Sequence, residues 1–153
     1  HTEESASSPP PSVLRVIAVH KAAIYDLGDF LRPPRAPMLT HLKLESCSLG
    51  ELTKGFASSL GKLPQLEYLS LRNNEFRSAK TLLRGIRPLT KLRYLDASSN
   101  KLGGCFGPFA NLCLGGQVRT LKLSYNLLTT CRDSGLEKCY GLREIWLDSN
   151  NIE

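Results

Sequence analysis

The sequence has few of the features by which enzymes and membrane proteins are usually recognised. It has one Met, one Trp and 7% aromatic residues, and no run of about 18 apolar residues that would cross a bilayer. It contains no phosphate-binding loop, no Gly-x-Ser-x-Gly, no His-Glu-x-x-His and no Cys-x-x-Cys pair. We therefore predict no membrane span, no catalytic centre, no cofactor and no bound metal.

What the chain does have is length, apolar content and positive charge. Its 153 residues are 41% apolar, which is enough for one domain with a continuous core, and its formal net charge is +6. The first twelve residues show no periodicity and are rich in Ser, Pro and Glu. We predict a flexible polar tail at 1–12 and a single domain at 13–153.

One eleven-residue frame governs nearly the whole domain. The frame is Leu-x-x-Leu-x-Leu-x-x-Asn-x-Leu, and it recurs about every 26 residues. Six in-register copies at near-constant spacing exclude a chance match. The ninth position of successive copies falls at Ala22, Cys47, Asn74, Asn100, Asn126 and Asn150.

This frame resembles the leucine-rich repeat, an α/β solenoid with repeats of about 20–29 residues. The resemblance covers residues 14–153, and it implies a curved parallel sheet on the concave face and short helices or 3₁₀ turns on the convex face. It also implies a non-catalytic scaffold or adaptor that binds another protein through the concave face. Because the sequence ends just after the strand of the sixth copy, we expect the chain to be a fragment of a longer solenoid.

Each part of the frame predicts a local structure. The Leu-x-Leu alternation has a period of two and predicts a short strand. The convex returns at 52–63 and 82–89 have leucines at steps of three and four and predict short helices, ended by Pro64 and Pro88. The return at 103–109 is rich in Gly and Pro, which predicts an irregular or 3₁₀ passage. The ninth residues should pair backbone groups as a structural ladder, formed by Cys47, Asn74, Asn100, Asn126 and Asn150.

The residues between the leucines should form the concave face, in columns across the repeats. Large rings occupy several of these slots, and Tyr, Trp and Arg dominate the energetics of protein interfaces. His20 and His41 also fall on this face, but at offset positions, which disfavours a metal site or general-base pair. The predicted partner-binding residues are His41, Lys43, Tyr68, Arg72, Tyr94, Asp96, Lys122, Tyr125, Trp146 and Asp148.

The positive charge is concentrated in one segment. Residues 72–101 contain eight Lys or Arg against Glu75 and Asp96. Five of the cations follow steps of three and four, which predicts a basic ridge along the convex side. An acidic partner, anionic lipid or nucleic acid could bind there, although such a run is also typical of a solvated face. The basic ridge comprises Arg77, Lys80, Arg84, Arg87 and Lys91.

Four of the five cysteines fall at matching positions of adjacent repeats. Cys105 and Cys131 form one such pair, and Cys113 and Cys139 the other. We interpret them as buried free thiols in a reducing compartment and predict an intracellular chain, cytoplasmic, cytoskeleton-associated or nuclear. Two alternatives stay open: a binder of acidic tails or nucleic acid through the convex ridge at 77–93, and an extracellular recognition domain with disulfides among these four cysteines.

Overall fold

The computed structural model describes residues 14–32, 38–50, 53, 55–113, 117–130 and 135–153. The predicted tail at 1–12 lies outside the described residues, as do Leu52 and Cys131. Within the described residues, no helix is long and apolar enough to cross a bilayer.

The frame builds a parallel sheet with one strand from each copy. Along the chain the strands are β1 (Val16–His20), β2 (His41–Glu45), β3 (Tyr68–Ser70), β4 (Tyr94–Asp96), β5 (Gly103–Cys105), β6 (Thr120–Lys122), β7 (Leu127–Thr129) and β8 (Glu144–Trp146). Six of them form the sheet in the order β1-β2-β3-β4-β6-β8, while β5 pairs with β7. Equivalent frame positions lie side by side, as His41, Tyr68 and Tyr94 do. The predicted solenoid of six repeats is confirmed.

Short helices connect the strands. They are α1 (Leu27–Phe30), α2 (Phe56–Leu60), α3 (Ala79–Ile86), α4 (Gly107–Cys113) and a 3₁₀ turn at Leu136–Lys138. Consecutive helices contact one another. The side chain of Asp26 caps α1 and that of Ser78 caps α3, because each accepts a hydrogen bond from a backbone N–H of the first turn.

The fourth return differs from the sequence prediction. Instead of an irregular passage, it contains strand β5 and helix α4. Pro108 stands in the first turn of α4, where a missing N–H costs nothing. Phe109, Ala110 and Cys113 are buried on one side of the helix. Burial of this apolar face outweighs the weak helix propensity of the Gly-Pro start.

The core lies between the sheet and the helices. The two inward positions of the central strands are fully buried, as at Leu69 and Leu71 in the third repeat. In the first repeat the corresponding Ile17 and Val19 are half-buried. Each repeat therefore buries its leucines against its neighbours, as solenoid packing requires.

The ladder residues join each repeat to the preceding one. The Asn74 side chain accepts hydrogen bonds from the N–H groups of Cys47 and Leu49, both at 3.0 Å, and donates to the Leu44 carbonyl at 2.7 Å. In the second repeat, the Cys47 thiol donates to the Val19 carbonyl of the first repeat at 3.7 Å. The Cys47 sulfur is also hydrogen-bonded to the backbone of Ala22, so a cysteine takes the place of the ladder asparagine in this repeat.

The residue before each ladder position adopts a left-handed conformation. Its φ lies between 53° and 56° in all six repeats, although none of the six is glycine. Such a φ costs a non-glycine residue about 1 kcal/mol. The tight turn that aims the ladder side chain into the core therefore carries local strain. The six residues are Lys21, Ser46, Asn73, Ser99, Tyr125 and Ser149.

Candidate functional site

Three aromatic rings stack across neighbouring strands on the concave face. The rings of Tyr68 and Tyr94 are 4.1 Å apart and inclined by 7°, and those of His41 and Tyr68 are 5.5 Å apart and inclined by 18°. The parallel register produces this stack, because strands about 4.8 Å apart bring equivalent side chains within ring-stacking distance.

Two lysines extend the stack through cation–π contacts. The Lys43 Nζ lies 5.2 Å from the centre of the Tyr68 ring. The Lys122 Nζ lies 5.6 Å from the Tyr94 ring and 5.0 Å from the Trp146 ring, so it bridges them. A cation over an aromatic face contributes about 0.5–1 kcal/mol at an exposed site. We call the six residues His41, Lys43, Tyr68, Tyr94, Lys122 and Trp146 the aromatic–lysine row.

The stacked tyrosines are neutral at physiological pH. Burial raises the pKa of Tyr68 to about 12, and its hydrogen bond with Tyr94 acts in the same direction. Burial also raises the pKa of Tyr94. Both phenols therefore keep their protons, and Tyr68 donates its proton to the Tyr94 oxygen.

Asp96 is buried, although a residue that binds a partner should be exposed to solvent. Its side chain is 7% exposed and accepts hydrogen bonds from the backbone N–H of Ser98 at 2.9 Å and from the Ser98 hydroxyl. Two other carboxylates on this face accept from serines of neighbouring strands: Glu45 from Ser70 at 2.7 Å and Asp148 from Ser124. These hydrogen bonds fix the positions of the acidic side chains on the concave face.

The other predicted concave residues border the row. Trp146 is 50% exposed and Tyr125 is 61% exposed, and both lie toward the last repeat. Arg72 and Asp148 are exposed where their strands end. The structure thus places nine of the ten predicted residues on an accessible face, with Asp96 as the exception. Their role in binding stays a prediction.

The basic ridge is divided. Lys80, Arg84 and Arg87 are exposed along α3 and its C-terminal cap. Arg77 precedes the helix, and its carbonyl accepts from the N–H of Gly103 at 2.9 Å. Lys91 lies beyond the helix and donates to the Gln65 side chain of the preceding repeat at 2.5 Å. The helix therefore brings together three of the five predicted cations.

One cysteine differs from the prediction that the thiols are free. Cys105 is disulfide-bonded, so the prediction of free thiols is wrong at this position. Cys47, Cys113 and Cys139 are free and buried. Burial raises the pKa of the Cys113 thiol to about 12 and also raises that of Cys139, to which it is hydrogen-bonded. Matching positions in adjacent repeats predict that the members of each pair lie close together, but they do not decide whether Cys105 is oxidised.

No group of three or more His, Cys, Asp or Glu that could hold a metal ion occurs in the described part of the chain. His20 and His41 are offset along their strands, because His20 aligns with Glu45 while His41 aligns with Val16. These two histidines are thus not brought side by side by the register.

Sequence reasoning overlooked some exposed groups. Tyr25 is 84% exposed and Tyr140 is 89% exposed, and both lie outside the strand positions of the frame. Pro108, Asn111 and Leu112 of α4 face the basic residues of α3 across a groove. The groove exists because α3 and α4 lie side by side. An irregular fourth return, as the sequence predicts, would not form it.

Comparison with known proteins agrees with this architecture. A family model described as Leucine Rich Repeat matches residues 91–112. No curated protein matches the chain. Among solved structures, an internalin from Listeria monocytogenes is similar at 24% identity with a TM-score of 0.58, and a TDR receptor at 22% with 0.57. The mouse RP105/MD-1 complex is similar at 18% identity with a TM-score of 0.53.

The similarity covers much of this chain and a small part of the others. The internalin and the TDR receptor each match 76% of this chain, and the mouse protein matches 91%. The chain spans 30%, 19% and 26% of their respective lengths. At these identities the likeness concerns the fold. The six-copy frame, its parallel sheet and the family match over residues 91–112 together support a leucine-rich repeat protein.

Proposed function

We propose that this chain is a non-catalytic protein-interaction module that binds a protein partner through the concave face. Solenoids of this kind use their extended concave surface for binding, and the family is typically non-enzymatic. We further propose that the module works as a scaffold or adaptor, without a cofactor.

The observation that carries this proposal is the aromatic–lysine row. Its rings and cations hold one another in place, as the 4.1 Å stacking of Tyr68 and Tyr94 illustrates. A surface whose side chains are already ordered loses little conformational entropy when a partner binds. Trp146 remains 50% exposed at one end of the row and offers the large apolar contact that is typical of binding hot spots.

A comparison of two alanine variants tests the concave face. One variant is Tyr68→Ala/Tyr94→Ala/Trp146→Ala, and the matched control is Tyr25→Ala/Tyr140→Ala, which removes exposed rings outside the strands. A partner captured from native lysate is identified by mass spectrometry, produced pure and titrated by calorimetry. We expect the triple variant to weaken binding by about 100-fold or more. Equal loss in both variants, or loss in the control alone, would refute the proposal.

The compartment is a separate matter. The prediction of an intracellular location, cytoplasmic, cytoskeleton-associated or nuclear, rests on free cysteine thiols. The Cys105 disulfide favours the alternative of an extracellular recognition domain, because disulfides persist in oxidising compartments and are rare in the cytosol. The binding face proposed here is the same in either case.

An acidic protein or nucleic acid remains the alternative partner, bound by the basic ridge. Lys80, Arg84 and Arg87 support it, since all three are exposed. Either kind of binding would weaken steeply with salt. Charge reversal by Arg84→Glu/Arg87→Glu would abolish it, while the triple concave variant would leave it intact.

A further inference from the structure

A groove runs between α3 and α4 on the convex side. It encloses about 780 Å³ and is lined by Lys80, Leu83, Arg84 and Arg87 on one side and by Pro108, Asn111 and Leu112 on the other. A smaller pocket of about 240 Å³ shares Arg87, Asn111 and Leu112 with it and reaches Val118. The two spaces are therefore neighbours on the convex side.

The two walls of the groove differ in charge. The α3 wall carries Lys80, Arg84 and Arg87, whereas Asn111 is the polar side chain of the α4 wall, and no acidic residue lines the groove among those that the structure describes. In the described part of the chain, the side chains of these three cations make no ion pair or hydrogen bond. Like charges three and four residues apart on a helix repel one another. A bound anion would relieve that repulsion.

The bottom of the groove is apolar. Leu83 of α3 and Leu112 of α4 are both half-buried and lie on opposite sides. Pro108 adds an exposed apolar ring to the α4 side. A ligand that fits must therefore combine an apolar face with a negatively charged flank on the α3 side.

We propose that this groove binds an acidic amphipathic helix of a protein partner. The apolar face of such a helix would cover Leu83 and Leu112, and its Asp or Glu side chains would meet the three cations. Arg84 and Arg87 can each form paired hydrogen bonds with a carboxylate. This proposal extends the acidic-partner alternative and does not rest on the concave face.

Nucleic acid fits the groove less well. Its phosphates would find cations on one wall only, while the leucines would face charged backbone. No aromatic residue lines the groove within the described ranges, so unpaired bases would find no ring there on which to stack. Charge and shape together favour a protein helix.

Fluorescence anisotropy with a defined peptide tests the proposal. The probe is a fluorescein-labelled peptide of three Leu-Glu-Glu-Leu-Leu-Glu-Glu heptads, which places leucines on one helical face. We expect micromolar binding by the full chain at about 0.15 M salt. No binding at millimolar protein would overturn the proposal, and so would equal binding of a scrambled peptide that has the same charge but no apolar face.

Two charge-reversal variants distinguish binding in the groove from non-specific attraction by the net positive charge of the chain. Arg84→Glu/Arg87→Glu should weaken peptide binding by about tenfold or more. Arg93→Glu/Arg119→Glu changes the net charge equally at two exposed arginines outside the groove and should change affinity by less than about threefold. Equal weakening by the two pairs would overturn the proposal. Circular dichroism verifies folding, and the neutral pair Arg84→Gln/Arg87→Gln replaces the reversal if the latter unfolds.

Two further arms separate the alternatives. Leu83→Ser should weaken peptide binding without a change in net charge, and binding that stays unchanged would contradict the apolar contact. The triple variant Tyr68→Ala/Tyr94→Ala/Trp146→Ala should bind the peptide normally, which separates this groove from the concave face. Tighter binding of a labelled DNA duplex than of the peptide, with the same loss on charge reversal, would assign the ridge to nucleic acid and overturn the helix proposal.

Discussion

A single asparagine in each central repeat stabilises two repeats at once. The Asn100 amide donates to the carbonyls of Leu71 and Ala97, and its oxygen accepts from the N–H of Phe76. These backbone groups lie where water is excluded, and an unpaired buried group costs about 1–3 kcal/mol. The ladder position is thus determined by hydrogen bonding more than by side-chain volume.

Replacement of Asn100 by Ala should be costly. It leaves one buried N–H and several carbonyls without this partner, so we expect the free energy of unfolding to fall by about 2–4 kcal/mol. Asn150→Ala removes the same kind of side chain at a half-buried position, where water can replace it. We expect that variant to lose less than half as much. Urea unfolding of both variants measures the difference, and equal losses would contradict it.

The stacked tyrosines predict a loss of stability at high pH. The pKa of Tyr68 is about 12 in the folded chain against an ordinary value of 10.0, so the folded state holds this proton more tightly. Its stabilising contribution is complete below about pH 10 and is lost as pH rises toward about 12. Denaturant unfolding at a series of pH values measures the effect. The Tyr68→Phe variant should show a shallower fall, and an unchanged slope would contradict the assignment.

At the scale of elements, helix packing overrides local propensity. Gly85 lies inside α3, where Ala would normally form a better helix by nearly 1 kcal/mol. A β-carbon there would stand 2.9 Å from the Phe56 ring, which is 4% exposed and packs on Phe76 at a centroid distance of 4.9 Å. The glycine permits the close approach of α2 and α3.

We therefore expect Gly85→Ala to destabilise the protein by about 1–3 kcal/mol, because the ring cannot move without disturbing the core. A double-mutant cycle with Phe56→Leu tests the cause, since the smaller side chain leaves room for the added methyl. The cost of Gly85→Ala should be smaller in the Phe56→Leu background. A stabilised Gly85→Ala, or an identical cost in both backgrounds, would show that the contact is unimportant.

Sequence patterns predicted some elements and missed others. Alternation of leucines located the six strands of the main sheet, since a period of two is typical of a strand, but it did not predict β5 and β7. Helix α4 was missed because Gly107 and Pro108 are weak helix formers by themselves. Its stability comes from burying Phe109 and Cys113 against neighbouring repeats, which no local pattern records.

At the scale of the whole molecule, the disulfide adds a covalent constraint to a fold held by nearest neighbours. Cys105 belongs to β5, which pairs with β7 of the next repeat. A disulfide reduces the entropy of the unfolded chain and typically stabilises a protein by about 2–4 kcal/mol. Oxidising conditions should therefore favour the folded solenoid.

Thiol titration gives the corresponding prediction. In denaturant without reductant, fewer than five thiols per chain should react with a chromogenic disulfide reagent, because Cys105 is oxidised. After reduction all five should react, and the midpoint of urea unfolding should fall. The variant Cys105→Ser should unfold at the same midpoint with and without reductant. Five reactive thiols before reduction would contradict the disulfide and support the intracellular prediction.

The sequence by itself determined the repeat, the strands, the ladder and the membership of each concave column. These follow from period and hydrogen-bonding chemistry, which are local properties repeated six times. Tertiary structure decided that Asp96 turns to Ser98, that Lys122 lies between Tyr94 and Trp146, and that α3 and α4 leave a groove. Those outcomes depend on distances between side chains of different elements, and a linear pattern does not contain these distances.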